Sequence, residues 1–151
     1  ARPYVAGPEH QEKLGFPGEL VDNWQSVAID KMGELVGKYR SLQVFLDSCV
    51  KCGACTDKCH YFLGTSDPKN LPVARHDLFR KVYRRYYTFA GKHFPKLVGA
   101  QDLTQDVLDD WYTYFHPCSQ CRRGSVFCPY GIDSAEISMA GRDSMESIGL
   151  G

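Results

Sequence analysis

Two cysteine runs set the frame for everything else in this chain. Cys49, Cys52, Cys55 and Cys59 form an unbroken C-x2-C-x2-C-x3-C run. Cys118, Cys121 and Cys128-Pro129 repeat that frame, with Gly124 standing where the third cysteine belongs. The runs hold all seven cysteines and are separated by the 58 residues 60–117. Three thiolates at i, i+3 and i+6 lie on a short loop and can hold three corners of an iron–sulfur cube. The fourth cysteine of such a run points away and serves the other cluster of a pair. A fold for this chain must therefore bring two distant loops together around two clusters.

The spacing assigns ligands directly. The first cluster takes Cys49, Cys52 and Cys55, with Cys128 as its crossing fourth ligand, as a [4Fe–4S] cluster. The second takes Cys118, Cys121 and the crossing Cys59. Pro129 matches the C-P ending of these runs, where a fixed φ turns the chain away, and Gly53 permits a backbone conformation that a side chain obstructs. Glycine cannot coordinate iron, so the second site has three thiolates. It is expected as a [3Fe–4S] cluster, or as a [4Fe–4S] cluster whose fourth iron binds water, hydroxide, substrate or a nearby side chain. His60, His116 and Ser125 are the candidates for that side chain; the alternative is that Gly124 simply weakens the second cluster. Four-cysteine zinc sites use two CxxC pairs, which the phased repeat with its C-P ending fits less well than iron. A thioredoxin-like CxxC needs a βαβ context that is absent. Cys59-His60 as a nucleophile pair is disfavoured, because sequence neighbours seldom give that geometry.

Composition excludes several classes. Lys plus Arg and Asp plus Glu are 18 each, so no global field attracts nucleic acid or an acidic membrane surface. No apolar run approaches the roughly 20 residues that span a bilayer. The odd cysteine count, in ligand spacing, fits a reducing cytoplasm better than a disulfide framework. The start at Ala1 lacks a secretory apolar stretch and an initiator Met, and reads as processed, trimmed or excerpted.

Helical periodicity dominates the rest, and the fold is expected to be mainly α, with the two cysteine loops set between helices. Residues 1–19, rich in Gly and Pro, read as an extended arm without regular structure, and residues 20–151 as one domain. Trp24, Val27, Ala28, Met32, Leu35 and Val36 mark one buried stripe. Leu42–Leu46 fits either a strand or a helical turn. Gly64–Pro72 is a loop, dense in turn residues. A helix is predicted over 73–87, with Leu78, Phe79, Val82, Tyr83 and Tyr86 inward, and another after an N-cap at Thr104, stopped by Pro117. Asp133 and Glu136 resemble a capping box opening a last helix with Ile137, Ala140, Ser144 and Ile148 on one face. A small bacterial ferredoxin sets its runs much closer; this spacer is long enough for two or three helices.

The stretches Cys49–Cys59 and Cys118–Asp133 resemble the α-helical ferredoxin domain of heterodisulfide-reductase-type subunits and of succinate dehydrogenase and fumarate reductase iron–sulfur subunits. Within that group the likeness is strongest to the DsrK type, the heterodisulfide-reductase-like subunits of membrane-associated DsrMKJOP complexes. It extends to Lys38–Leu42, the Gly64–Pro72 loop and Tyr83–Tyr86, and so covers residues from about 20 to 150. The family has a cysteine where this chain has Gly124. Its catalytic part lies further C-terminal with CCG motifs, and no CCG occurs here. The resemblance implies an electron-delivery module whose disulfide-reducing or thiol-oxidising chemistry lies elsewhere, with Gly151 as a truncation. It further implies partner subunits of a membrane redox complex, a small disulfide/thiol carrier protein engaged through the missing C-terminal domain, and a cytoplasmic position at the inner face of the cell membrane.

The expected function is thus single-electron transfer to or from a disulfide- or thiol-handling unit of sulfur metabolism. The alternatives are a succinate dehydrogenase, fumarate reductase or glycolate-oxidase-like iron–sulfur domain, an enzyme binding substrate at an open iron near Gly124, and a non-redox module stapled by metal. No complete catalytic site and no nucleic-acid partner are expected. Arg75, Arg80, Lys81, Arg84 and Arg85 read as a solvated basic helix face balanced by Asp102, Asp106, Asp109 and Asp110, in preference to a docking face. Lys51, Lys58, Arg122 and Arg123 flank the ligands, where positive charge stabilises a reduced cluster and raises its potential. His10, His76 and His93 read as structural or exposed, and Trp24 and Trp111 as core.

Overall fold

A computed structural model describes residues 8–15 and 18–150. Its α-helices are α1 (Pro8–Leu14), α2 (Trp24–Lys38), α3 (Arg40–Ser48), α4 (His60–Thr65), α5 (Pro72–Tyr87), α6 (Phe89–His93), α7 (Pro95–Val98), α8 (Gln105–Phe115), α9 (Arg123–Val126) and α10 (Ser134–Ser147). Two 3-10 turns, Thr56–Lys58 and Pro68–Asn70, complete the regular structure, and no strand occurs among the described residues. The mainly α expectation is met, and Leu42–Leu46 lies within helix α3.

Each long helix buries one stripe. Helix α2 contributes Ala28, Met32 and Leu35; α3 gives Leu42 and Leu46; α5 gives Phe79, Val82 and Tyr83. Helix α8 adds Val107, Leu108, Trp111 and Phe115, and α10 packs against α2, α5 and α8 with Ile137, Ala140 and Met145. Trp111 stacks on Phe79 with ring centroids 5.2 Å apart and donates its indole N–H to Leu78 O at 3.2 Å, so its polar handle is satisfied inside the core. Trp24, expected in the core, is half-buried at its edge.

The helix boundaries follow local chemistry. Thr104 caps α8 by accepting from Val107 N, and Asp133 caps α10 by accepting from Ala135 N at 3.0 Å. The capping box is only half formed, because Glu136 accepts from the Ser41 hydroxyl of α3 instead. Pro72 occupies the first turn of α5, where its missing N–H costs nothing, so that helix begins one residue earlier than predicted.

Two readings require correction. Pro8–Leu14 is helical and buries none of its residues, where an arm without regular structure was expected; residues 1–7 and 16–17 lie outside the described residues. Helix α5 is not a solvated basic face. Arg75 and Arg80 are only 4% and 6% exposed and point under the cysteine loops, while Arg85 pairs with Asp102 at 2.7 Å as a surface residue would. Of the other expected balancing carboxylates, Asp110 pairs with Lys69 at 3.1 Å.

Candidate iron–sulfur site

The two cysteine loops meet at one end of the α5/α10 pair, and their backbones match. In Cys49-Val50-Lys51-Cys52-Gly53 the third and fifth residues have φ of 56° and 80°. In Cys118-Ser119-Gln120-Cys121-Arg122 the same places have φ of 56° and 57°. Left-handed residues between ligands turn successive backbone N–H groups to one side of a loop, the concave arrangement that binds anions and iron–sulfur groups. Gly53 adopts this conformation without steric cost; Arg122 does so against it.

All seven cysteines are free thiols. They divide between two cavities as the spacing assigns them. One cavity is lined by Cys49, Cys52, Cys55 and Cys128, with Pro129 and His76 at its wall. A second is lined by Cys59, Cys118 and Cys121, with His60 and Arg75. Cys128 from the second run thus stands with the first loop, and Cys59 from the first run stands with the second loop. Among the described residues, no three Cys, His, Asp or Glu side chains converge on a single-ion site. This donor set fits one cluster in each cavity. Burial pushes the Cys55 thiol above its ordinary range, backbone N–H groups of Val73 and Cys55 pull it back, and negative charge on Cys49 and Cys128 adds to the rise.

Gly124 is buried between the cavities and, with Pro72 and Ser134, lines both. A Cβ there would stand 3.0 Å from Ser134 Oγ and 3.2 Å from the Pro72 side chain, so the present packing is fitted to glycine. Of the three candidate replacement ligands, only His60 lines the second cavity. Its Nδ1 lies 3.8 Å from Cys121 Sγ and its Nε2 lies 3.3 Å from Ser119 Oγ. Ser125 donates to Asp133 at 2.6 Å, and His116 packs against Tyr112 at the end of α8, away from the cavity lining.

The polar floor beneath the loops escaped the sequence reading. Arg75 directs Nη1 to Cys59 Sγ at 3.9 Å and Nη2 to Asn70 Oδ1 at 3.2 Å. Arg80 donates to the carbonyl of Cys49 at 2.6 Å. His76 bonds Phe45 O through Nε2 at 2.8 Å, which makes Nε2 the protonated nitrogen because a carbonyl only accepts. Burial lowers His76 to about 4, so it is neutral at pH 7. Arg142 clasps the carbonyls of Phe115, His116 and Cys118, anchoring the entry to the second loop. Nothing in the basic stretch itself sets Arg75 and Arg80 apart from Arg84 and Arg85; the structure buries the first two and leaves the others half-buried.

The flanking cations are largely neutralised. Lys51 pairs with Asp77 at 2.8 Å, Lys58 with Asp57 at 3.0 Å, and Arg122 with Asp133 at 3.4 Å.

The sequence profile of the 4Fe–4S dicluster domain matches residues 45–132. The chain belongs to the 4Fe–4S dicluster domain family. Membership implies [4Fe–4S] clusters and electron transfer as the chemistry of this dicluster domain. The chain is 52% identical over 132 residues to an Hdr-like menaquinol oxidoreductase iron–sulfur subunit 2 of Archaeoglobus fulgidus, covering 87% of this chain and 24% of that protein. An Hdr-like menaquinol oxidoreductase iron–sulfur subunit of Archaeoglobus profundus is 49% identical over the same shares. A dihydromethanophenazine:CoB–CoM heterodisulfide reductase subunit of Methanosarcina barkeri is 28% identical over 106 residues, 70% of this chain and 25% of the relative. These relatives bear out the likeness to heterodisulfide-reductase-like iron–sulfur subunits. The dicluster chain spans about a quarter of the length of the curated relatives it matches. No solved structure matches it.

Proposed function

We propose that this chain is the dicluster relay of a longer heterodisulfide-reductase-like subunit. It passes single electrons between a quinol-linked membrane partner and a unit that handles disulfides or thiols. The observation that carries the reading is the division of the seven cysteines: four thiols rim one cavity and three the other, each set completed by a residue from the opposite run. Cys49, Cys52, Cys55 and Cys128 hold a [4Fe–4S] cluster. Cys59, Cys118 and Cys121 hold a second cluster with one iron free of thiolate, as a cubane or a [3Fe–4S] cluster. The clusters supply the one-electron chemistry; the chain supplies ligation, burial and hydrogen bonds that set their potentials.

The partners follow from what the relatives are named for. One group is named a menaquinol oxidoreductase and another a heterodisulfide reductase, which support a quinol-linked donor and a disulfide acceptor. A role in sulfur metabolism, a small thiol carrier protein and a place at the inner face of the cell membrane belong to the same proposal. Among the described residues no helix is long and apolar enough to cross a membrane, so attachment would come through partner subunits.

The test is anaerobic purification with iron and sulfide quantification and EPR spectra, as isolated and after dithionite. About eight irons indicate two cubanes, and about seven with a signal in the oxidised state indicate a [3Fe–4S] second site. Roughly four irons, or zinc without sulfide, overturn the two-cluster reading. Clusters that dithionite cannot reduce make the metal sites structural staples.

A further inference from the structure

Among the described residues three buried side-chain nitrogens have no hydrogen-bond partner: Arg75 Nε, His76 Nδ1 and Arg80 Nε. All three belong to helix α5, beneath the cysteine loops. A buried guanidinium normally sits on a carboxylate, because a charge removed from water must be paired. Neither Arg75 nor Arg80 has a carboxylate oxygen within ion-pairing distance among the described residues, although neighbouring surface cations do. The chain therefore leaves positive charge without an ion-pair partner where two thiolate sets assemble, and those sets are the anions placed to answer it.

The two arginines are not placed alike. Arg75 is 4% exposed, lines the second cavity and aims a guanidinium N–H at the sulfur of Cys59 itself. Its remaining polar contact is the neutral amide of Asn70, and the Tyr61 ring lies 5.7 Å away. Arg80 reaches only the backbone carbonyl of Cys49, so the guanidinium group that makes its bond is turned to a peptide oxygen and not to a thiolate. A charge-assisted hydrogen bond to a ligating sulfur stabilises the more negative, reduced cluster more than the oxidised one. The second set also has three thiols to the first set's four, so a cubane there with a neutral fourth ligand would carry one negative charge fewer.

We propose that Arg75 is the buried counter-charge of the second cluster and holds its reduction potential above that of the first, so that the second cluster takes up the first electron. The proposal rests on the ligation reading, in which Cys59 serves the second site. Each cluster accepts one electron from an external reductant, and no bond to carbon, hydrogen or oxygen is made or broken.

The experiment is an EPR-monitored redox titration of the wild-type chain and its Arg75→Gln, Arg75→Lys and Arg80→Gln variants, with dithionite as reductant and iron counted for each. In Arg75→Gln the second cluster's reduced-to-oxidised ratio at the wild-type midpoint should fall about tenfold, equivalent to 59 mV for a one-electron couple. Arg75→Lys keeps the charge and should give a clearly smaller fall, and Arg80→Gln should act on the first cluster. If Arg75→Gln sheds the second cluster while Arg75→Lys keeps it, the counter-charge role is equally supported. An unmoved second midpoint, equal shifts in both clusters, or a lysine variant as impaired as the glutamine one would overturn it. A wild-type chain with one cluster would instead sink the two-cluster reading, before any variant is compared.

Discussion

Loop one and loop two have the same turn geometry on opposite terms. Both place left-handed residues third and fifth in the Cys-x-x-Cys-x segment. Loop one meets the demand with Gly53 and follows it with Cys55; loop two meets it with Arg122 and follows it with Gly124. Both loops carry a non-glycine residue at the third place, Lys51 and Gln120, so the strain differs at the fifth place alone, where the second loop also precedes a run one cysteine short. Arg142 clasps three carbonyls at the entry to the second loop, and Arg122 is tied to Asp133. The comparison teaches that backbone shape and cysteine count are separable: the second loop has the same cradle with one cysteine fewer.

The sharpest way to break that comparison is to remove one thiolate from each site. Cys59→Ala leaves the second site with two thiolates, and iron content should fall by the whole of that cluster, about three or four atoms. Cys49→Ala leaves the first site with three, the number the second has already, so its cluster should be retained in altered form. Iron counts and EPR of the two variants check this, and equal losses would contradict the asymmetry.

The next effect comes from exchanging the residues at the third ligand place. Cys55→Gly should give the first cluster the spectral character of the second. Gly124→Cys should complete the second site only as far as Pro72 and Ser134 yield, because the new Cβ would meet them at 3.0 to 3.2 Å. Adding Ser134→Gly to Gly124→Cys should increase the yield of the four-thiolate cluster. If Gly124→Cys alone loads completely, the fit to glycine is looser than these contacts imply.

The smallest effects are backbone ones, with opposite signs. Gly53→Ala, at φ 80°, should destabilise the cluster-loaded chain by about 1 kcal/mol. Arg122→Gly should relieve a similar strain and lose an exposed ion pair worth at most about 1 kcal/mol, for a net change between neutral and mildly stabilising. Denaturant midpoints under anaerobic conditions compare the two; a stabilising Gly53→Ala would refute the reading of loop one.

Sequence reading could group the cysteines because their signal is local. Three thiols at fixed spacing and a C-P ending define a loop whatever surrounds them, and the two cavities divide the cysteines along those lines. The mainly α class and the Thr104 cap were legible for the same reason, being set within a few residues. Arg75 and Arg80 were misread because a basic stretch carries no mark of which side chains turn inward. Their burial depends on α5 lying beneath both loops, a tertiary fact. Pro8–Leu14 was misread because proline and glycine near a terminus mask one short helical segment. Glu136 satisfied the capping pattern and yet bonds Ser41, since a neighbouring helix offers a donor that the pattern does not count.

Pro72, Gly124 and Ser134 form one partition faced by both cavities. So thin a divider makes the clusters electrostatic neighbours: charge placed on one raises the cost of charging the other. The pair would then behave like two plates of a single capacitor, filling stepwise, with the second step displaced by the charge of the first. Under this arrangement the electron held by the second cluster makes the first cluster harder to reduce, widening the gap between the two steps.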